Sequence, residues 1–153
     1  MRVWRAAPGE AAIVAQLIAE FGDWWGKNPL SAEEIRPSVE RIMAAGDGEY
    51  LLGAVDAGPD AAGVCQVRFR WSVWKSAEDC WLEDLYVREE ARRSGLGRAL
   101  IEAALDRARE RGCRRIELDV NEDNAPALAL YEACGFLTEP KPPGRTLFIG
   151  RPL

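Results

Sequence analysis

The sequence predicts one α/β (α+β) domain: a mixed, largely antiparallel sheet of about seven strands flanked by four helices. Three observations carry this expectation. Hydrophobic periodicity switches along the 153 residues between alternation and three-to-four stripes, in the order β-α-α-β-β-β-α-β-α-β-β. Apolar residues make up 48%, enough for one sizeable core. No repeat, low-complexity tract or linker divides the chain, so residues 1–153 are read as a single domain.

Residues 2–6 read as a short first strand. Pro8 opens a helix whose stripe is Ile13, Val14, Leu17, Ile18 and Phe21, with Gly22 as its stop. Ser31 and Glu34 form a capping box for a second helix through Val39, Ile42 and Met43, with Pro37 as a point of kinking or restart and Gly46 as its end. Residues 49–56 form a strand, and 57–60 a turn. Over 63–74, Cys65, Val67, Phe69, Trp71 and Val73 alternate with Gln66, Arg68, Arg70 and Ser72, the pattern of a half-buried antiparallel strand.

The strand at 80–87 breaks its alternation at Glu83-Asp84. One of the two acids must point toward the core side unless a bulge intervenes. A long helix follows over 95–111, with Leu96, Leu100, Ala103, Ala104 and Ala108 on one face and Gly112 as cap. A strand at 115–120, a helix at 124–133, the Gly135-Phe136 step where the penultimate strand of the order falls, a Pro-rich turn at 140–144 and a last strand from Thr146 to Arg151 follow.

Composition narrows the chemistry. The net charge of −5 disfavours nucleic acid as a general partner and favours a cationic small molecule. The chain has no histidine, which removes His bases and His metal ligands. The four cysteines, Cys65, Cys80, Cys113 and Cys134, are not spaced as ligand pairs, so no metal is expected and they read as small hydrophobes in a reducing compartment. No leader pattern or membrane-length apolar run is found, and a cytoplasmic protein with no membrane partner is the expectation.

The segment Arg92-Arg93-Ser94-Gly95-Leu96-Gly97-Arg98 places two glycines and three arginines between a strand end and a helix start. Free amides there, with the helix dipole behind them, suit an anion. A tight loop with solvated arginines is the plainer reading of the same residues. The loop has the form R-x-x-G-x-G and follows Leu-Glu-Asp-Leu-Tyr-Val. It is followed by Asn124-Ala125-Pro126-Ala127 and Tyr131-Glu132-Ala133-Cys134-Gly135-Phe136. Together, from about residue 80 to 136, these resemble the GNAT superfamily of N-acetyltransferases. The Leu82-Glu83-Asp84 phrase resembles its diamine, polyamine and thialysine branch.

That resemblance implies a fold whose central parallel strands splay apart for acetyl-CoA. The loop from Arg92 through Arg93, Ser94, Gly95, Leu96, Gly97 and Arg98 would hold its pyrophosphate. The backbone of Leu85, Tyr86 and Val87 would pair with the pantetheine arm, and Asn124 would bind that arm or brace the gap, if it is not simply a helix cap. Tyr131 would be the general acid at the leaving sulfur, if it is not a core tyrosine beside Phe136. Glu83 would be the base that frees the acceptor amine and Asp84 a second acceptor contact, if one of them does not simply pair with Arg68 or Arg70. Trp24 and Trp25 would wall a cationic acceptor, if they do not serve packing. The expected activity is acetyl transfer to a primary amine of a small molecule in a ternary complex, by a homodimer. The alternatives are a protein lysine or N-terminal amine as acceptor, or a non-catalytic acyl-CoA-binding module.

Overall fold

The computed structural model describes residues 1–26, 30–56, 60–137 and 150–152. Its sheet has five strands, β1 (Arg2–Arg5), β2 (Gly48–Ala54), β3 (Gly63–Ser72), β4 (Ala77–Val87) and β5 (Ile116–Glu117), in the spatial order of their numbering. The first four pair antiparallel, and β5 runs parallel to β4. Helices α1 (Ala11–Trp25) and α2 (Ala32–Ala45) cover one face; α3 (Leu96–Glu110) and α4 (Ala125–Ala133) lie toward the other.

The ladder assigns each strand residue to a face. Leu51, Cys65 and Leu85 stand opposite one another and pack toward α3, whereas Leu52, Val64 and Tyr86 form the next row and pack toward α1 and α2. Both faces are therefore covered along the first half of β3. The expected half-buried strand is in fact buried on both sides from Gly63 to Val67. Its far end, at Trp71, runs beyond the helices into solvent.

Several boundaries depart from the sequence expectation. Gly22 does not stop α1, which continues to Trp25 and ends at Gly26 with φ +70°. The added turn is held by Phe21, whose ring lies 5.6 Å from Trp25 and 5.7 Å from Tyr86 of β4. Helix α2 has the expected capping box, with the Ser31 amide donating to Glu34 Oε2 at 2.8 Å, and runs unbroken through Pro37. The strand expected at 115–120 shrinks to two residues, because β5 leaves β4 after one short stretch of pairing. Five strands are described instead of about seven. Most of the turn at 57–60, the Pro-rich turn at 140–144 and all but the end of the Thr146–Arg151 strand lie outside the described residues, and the remaining residues of that strand, 150–151, are irregular.

Candidate active site

The Glu83-Asp84 step is a β-bulge. Gln66 pairs with Asp84, but the next residue of β3, Val67, pairs with Leu82, so Glu83 has no residue opposite it. The extra residue resets the alternation: Leu82 and Leu85 both pack toward α3, and the two acids between them are presented to the α1/α2 face. Neither acid forms an ion pair among the described residues; Arg68 pairs instead with Asp47 at 3.2 Å. Glu83 is exposed, while Asp84 is partly enclosed. Burial first, then the charges of Glu83 and Asp119, push the Asp84 carboxyl up to about 6.

Beside the bulge the sheet opens. Strands β4 and β5 pair only at Cys80↔Ile116 and Trp81↔Glu117. From Leu82 to Val87, β4 keeps its pairing to β3, apart from the bulged Glu83, but has no partner on the β5 side among the described residues. Leu85 and Tyr86 thus offer an open backbone edge to the gap, as a strand-like ligand requires, while the Val87 carbonyl is already held by Arg92. Tyr131 of α4 packs against the core on the α3 side of this gap, edge-on to Phe136 at 5.8 Å. Burial, then the nearby Cys65, Asp119 and Asp84, push its hydroxyl up to about 12, so it keeps its proton at neutral pH. Asp84 and Tyr131 thus face opposite sides of one opening.

The glycine-rich loop lies at the C-terminal end of β4. Arg93 and Gly95 both adopt positive φ, +60° and +94°, which turns the chain sharply into α3. Ser94 holds the turn: its hydroxyl donates to the Ala91 carbonyl at 2.7 Å and accepts from the Leu96 amide at 3.3 Å. The Leu96 side chain is part of the core. Among the described residues the amides of Gly97 and Arg98 have no protein acceptor, as first-turn amides often do not. Gly97 also permits a close approach: a Cβ there would stand 3.1 Å from Leu130 of α4. The amides, the dipole and the free edge of β4 together fit a phosphate-bearing cosubstrate with an extended arm.

Other predicted site residues have structural duties. Asn124 caps α4, its side chain accepting from the Ala127 amide at 3.3 Å. Arg92 donates from Nε to the Val87 carbonyl at 3.0 Å, and its guanidinium lies 5.2 Å from the Trp24 ring centre. Trp24 and Trp25 are both exposed on the last turn of α1. That turn is tied to the end of β4 by a two-pronged ion pair from Arg88 to Glu20, both bonds 2.8 Å. The tryptophans, the loop and the β4 edge therefore form one neighbourhood. Arg98 lies beside Glu102 at 3.9 Å on the exposed side of α3.

Sequence reading missed three residues here. Asp119 bears electrostatically on both Asp84 and Tyr131. Tyr50 and Gln66 stand in the same ladder row as Asp84. The alternation of β3 marks Gln66 as the polar-facing residue, but only the packing of α1 and α2 encloses it.

Comparison with known proteins places this architecture. Residues 14–136 match the family model described as Acetyltransferase (GNAT) family. The chain is 30% identical over 141 residues to thialysine N-epsilon-acetyltransferase of Bos taurus, covering 85% of this chain and 80% of that one. It is 30% identical over 135 residues to aminoglycoside N(6')-acetyltransferase type 1 of Stenotrophomonas maltophilia, covering 86% and 83%. A solved structure of a probable acetyltransferase superposes with a TM-score of 0.87 at 26% identity, covering 99% of each chain. No helix among the described residues is long and apolar enough to cross a membrane. With its splayed strands, glycine-rich helix start and Tyr131 on the last described helix, the chain belongs to the GNAT acetyltransferase family and is an acyltransferase.

Proposed function

We propose that this enzyme moves the acetyl group of acetyl-CoA to the primary amine of a small cationic acceptor, by direct attack in a ternary complex. The observation that carries this reading is the gap between β4 and β5. Among the described residues it has an open strand edge, two carboxylates without an ion pair on one face and a protonated tyrosine on the other. The named relatives acetylate nitrogen, which supports an amine acceptor.

In this reading the acetyl thioester lies along Leu85, Tyr86 and Val87, with its phosphates at the loop from Arg92 to Arg98. The acceptor enters from the α1/α2 face, where Glu83 at the mouth attracts its ammonium group and Trp24 and Trp25 border the approach. An alkyl ammonium has a pKa of ~10 and must lose a proton before it can attack. We assign that proton to Asp84. Its carboxyl, at about 6, is ionised at neutral pH yet more basic than an ordinary carboxylate. The freed nitrogen bonds to the acetyl carbon, the C–S bond breaks, and the electron pair leaves on sulfur. Tyr131 donates a hydrogen bond to that sulfur. With its hydroxyl near 12 and an ordinary thiol near ~8.5, full transfer of the tyrosine proton runs uphill. The hydrogen bond stabilises the thiolate. The nitrogen, cationic once bonded to the acetyl carbon, loses its second proton as the amide forms. That proton passes through water to the thiolate, and Asp84 releases the first to solvent.

The test is a panel of amines with acetyl-CoA, read as free thiol. Diamines should be acetylated faster than neutral or acidic amines. Turnover with none of them overturns the reading, and faster use of an acidic amine overturns the cationic acceptor. Acetyl-CoA should also raise the melting temperature by mass action, because it binds only the folded chain. Gly97→Glu should remove that shift, since it sets a carboxylate among the open amides and presses on Leu130. An unchanged shift in that variant would detach the loop from the pyrophosphate.

A further inference from the structure

Tyr50, Gln66 and Asp84 stand directly opposite one another on β2, β3 and β4. The row lies on the α1/α2 face, since the flanking Leu51, Cys65 and Leu85 all turn to α3. Gln66 is only 6% exposed and Tyr50 only 2%. Among the described residues, neither the Gln66 amide nor the Tyr50 hydroxyl has a hydrogen-bond partner from the protein. Yet none of their polar atoms is both sealed from solvent and unpaired. Enclosed polar groups without partners are costly unless something else satisfies them. Their polar ends therefore keep some contact with solvent, on the face that carries the two acids. The row is continuous: the Asp84 charge acts on the Tyr50 hydroxyl.

From this we infer that Gln66 and Tyr50 form the floor of the acceptor site, and that the acceptor carries a neutral hydrogen-bonding group, a hydroxyl or carbonyl, close to the amine that is acetylated. Adjacent strands are about 4.8 Å apart, so the row spans roughly 10 Å. An amine held at Asp84 places a group two or three bonds away above Gln66, and one further along above Tyr50. An amide and a phenol both donate and accept, which suits a hydroxyl or carbonyl. A cation is served by the acids alone. The inference rests on the amine-acetyltransferase reading and adds what must accompany the amine.

The test compares diaminopropane with its hydroxylated counterpart, diaminopropanol, as acceptors for wild type, Gln66→Met and Tyr50→Phe. The hydroxyl also acidifies the ammonium, but by the same amount for every variant. The readout is therefore the change in the ratio of the two kcat/KM values. Wild type should favour the hydroxylated amine, and the ratio should fall by about tenfold to a hundredfold in Gln66→Met, because a site built to pair a hydroxyl discriminates strongly. A retained melting shift with acetyl-CoA shows that each variant is folded; should Gln66→Met lose it, Tyr50→Phe carries the comparison with a smaller fall. Equal ratios in wild type and the folded variants overturn the inference while leaving acetyl transfer intact. Absence of turnover by wild type with both amines and the wider panel overturns the transfer reading and this inference with it.

Discussion

Glu49 on β2 and Asp84 on β4 are both enclosed carboxylates, and their surroundings treat them in opposite ways. Burial pushes the Glu49 carboxyl up, but the hydrogen bonds and charge of Arg107, with the charges of Arg5 and Arg111, more than offset this and leave it below the ordinary range. Arg107 grips it with two bonds of 2.8 Å, while Arg111 lies 3.6 Å away and spends its own fork on Glu78. At Asp84 nothing offsets burial, and two more acids add to it. The C-terminal end of α3 is thus a completed polar network that joins β2, β4 and α3. The bulge at the other end is left incomplete. A finished network is an argument about folding, whereas unpaired polar groups in an enclosed site are an argument about a ligand.

Exchanging the carboxyl at each end tests that contrast. Asp84→Asn should lower kcat/KM by roughly 10²–10⁴-fold, the range for a lost base. The loss should shrink as pH rises and free amine forms unaided. In wild type, kcat/KM should climb through about pH 6 as Asp84 ionises. Glu83→Gln should instead raise the acceptor KM and leave kcat near its wild-type value. If the two variants exchange these behaviours, Glu83 is the base, and the assignment in the proposed mechanism is reversed.

Stability should respond with opposite signs. Removing one partner from a buried ion pair costs about 3 kcal/mol at the low end. Glu49→Gln should cost about that amount by denaturant unfolding, with turnover per folded molecule retained. A carboxyl whose pKa is lowered by folding contributes stability above its unfolded pKa and loses it as pH falls through the folded value. The Glu49→Gln deficit should therefore fade in acid. Asp84 runs the other way: its pKa is raised by folding, so its penalty is complete above about pH 6 and absent below its unfolded value. Asp84→Asn should stabilise the protein near pH ~8 by up to about 3 kcal/mol. A destabilised Asp84→Asn would mean that this carboxyl belongs to the fold rather than to the reaction.

Two smaller effects sharpen the picture. Tyr131→Phe should lower kcat about a hundredfold with acetyl-CoA affinity unchanged, and less with thioesters of more acidic thiols. Full kcat in that variant would make Tyr131 a packing partner of Phe136. Trp24→Ala should raise the acceptor KM only a few-fold, since the ring is exposed and loses little desolvated contact.

The sequence made one end of this site readable and hid the other. Gly95 and Asn124 meet local backbone and capping demands, so the starts of α3 and α4 could be read directly, whereas Tyr131 is singled out by the family resemblance alone. The proposed acceptor face depends on the bulge at Glu83. Inserting one residue reverses the facing of everything after it, and alternation alone leaves open which acid turns inward. Gln66 falls on the polar side of β3, yet only the docking of α1 and α2 decides whether that side is wet or enclosed. Gly22 and Gly26 illustrate the same limit: either could end α1, and the stacking of Phe21 on Trp25, with its tilted contact to Tyr86, favours the later one.

The unpaired side of β4 from Leu82 to Val87 has a consequence for solubility. A bare strand edge normally recruits other strands, and proteins suppress this with charge, proline or a cover. Here the bare edge lies inside the sheet, toward a neighbour that remains joined to it at Cys80 and Trp81. An incoming polypeptide strand carries side chains on both faces and would have to thread between β4 and β5 from the open end only. A slender unbranched arm meets no such obstacle. The splay therefore filters by thickness: it leaves main-chain donors and acceptors available to a thin molecule while denying them to the aggregating chains that an outer edge would invite.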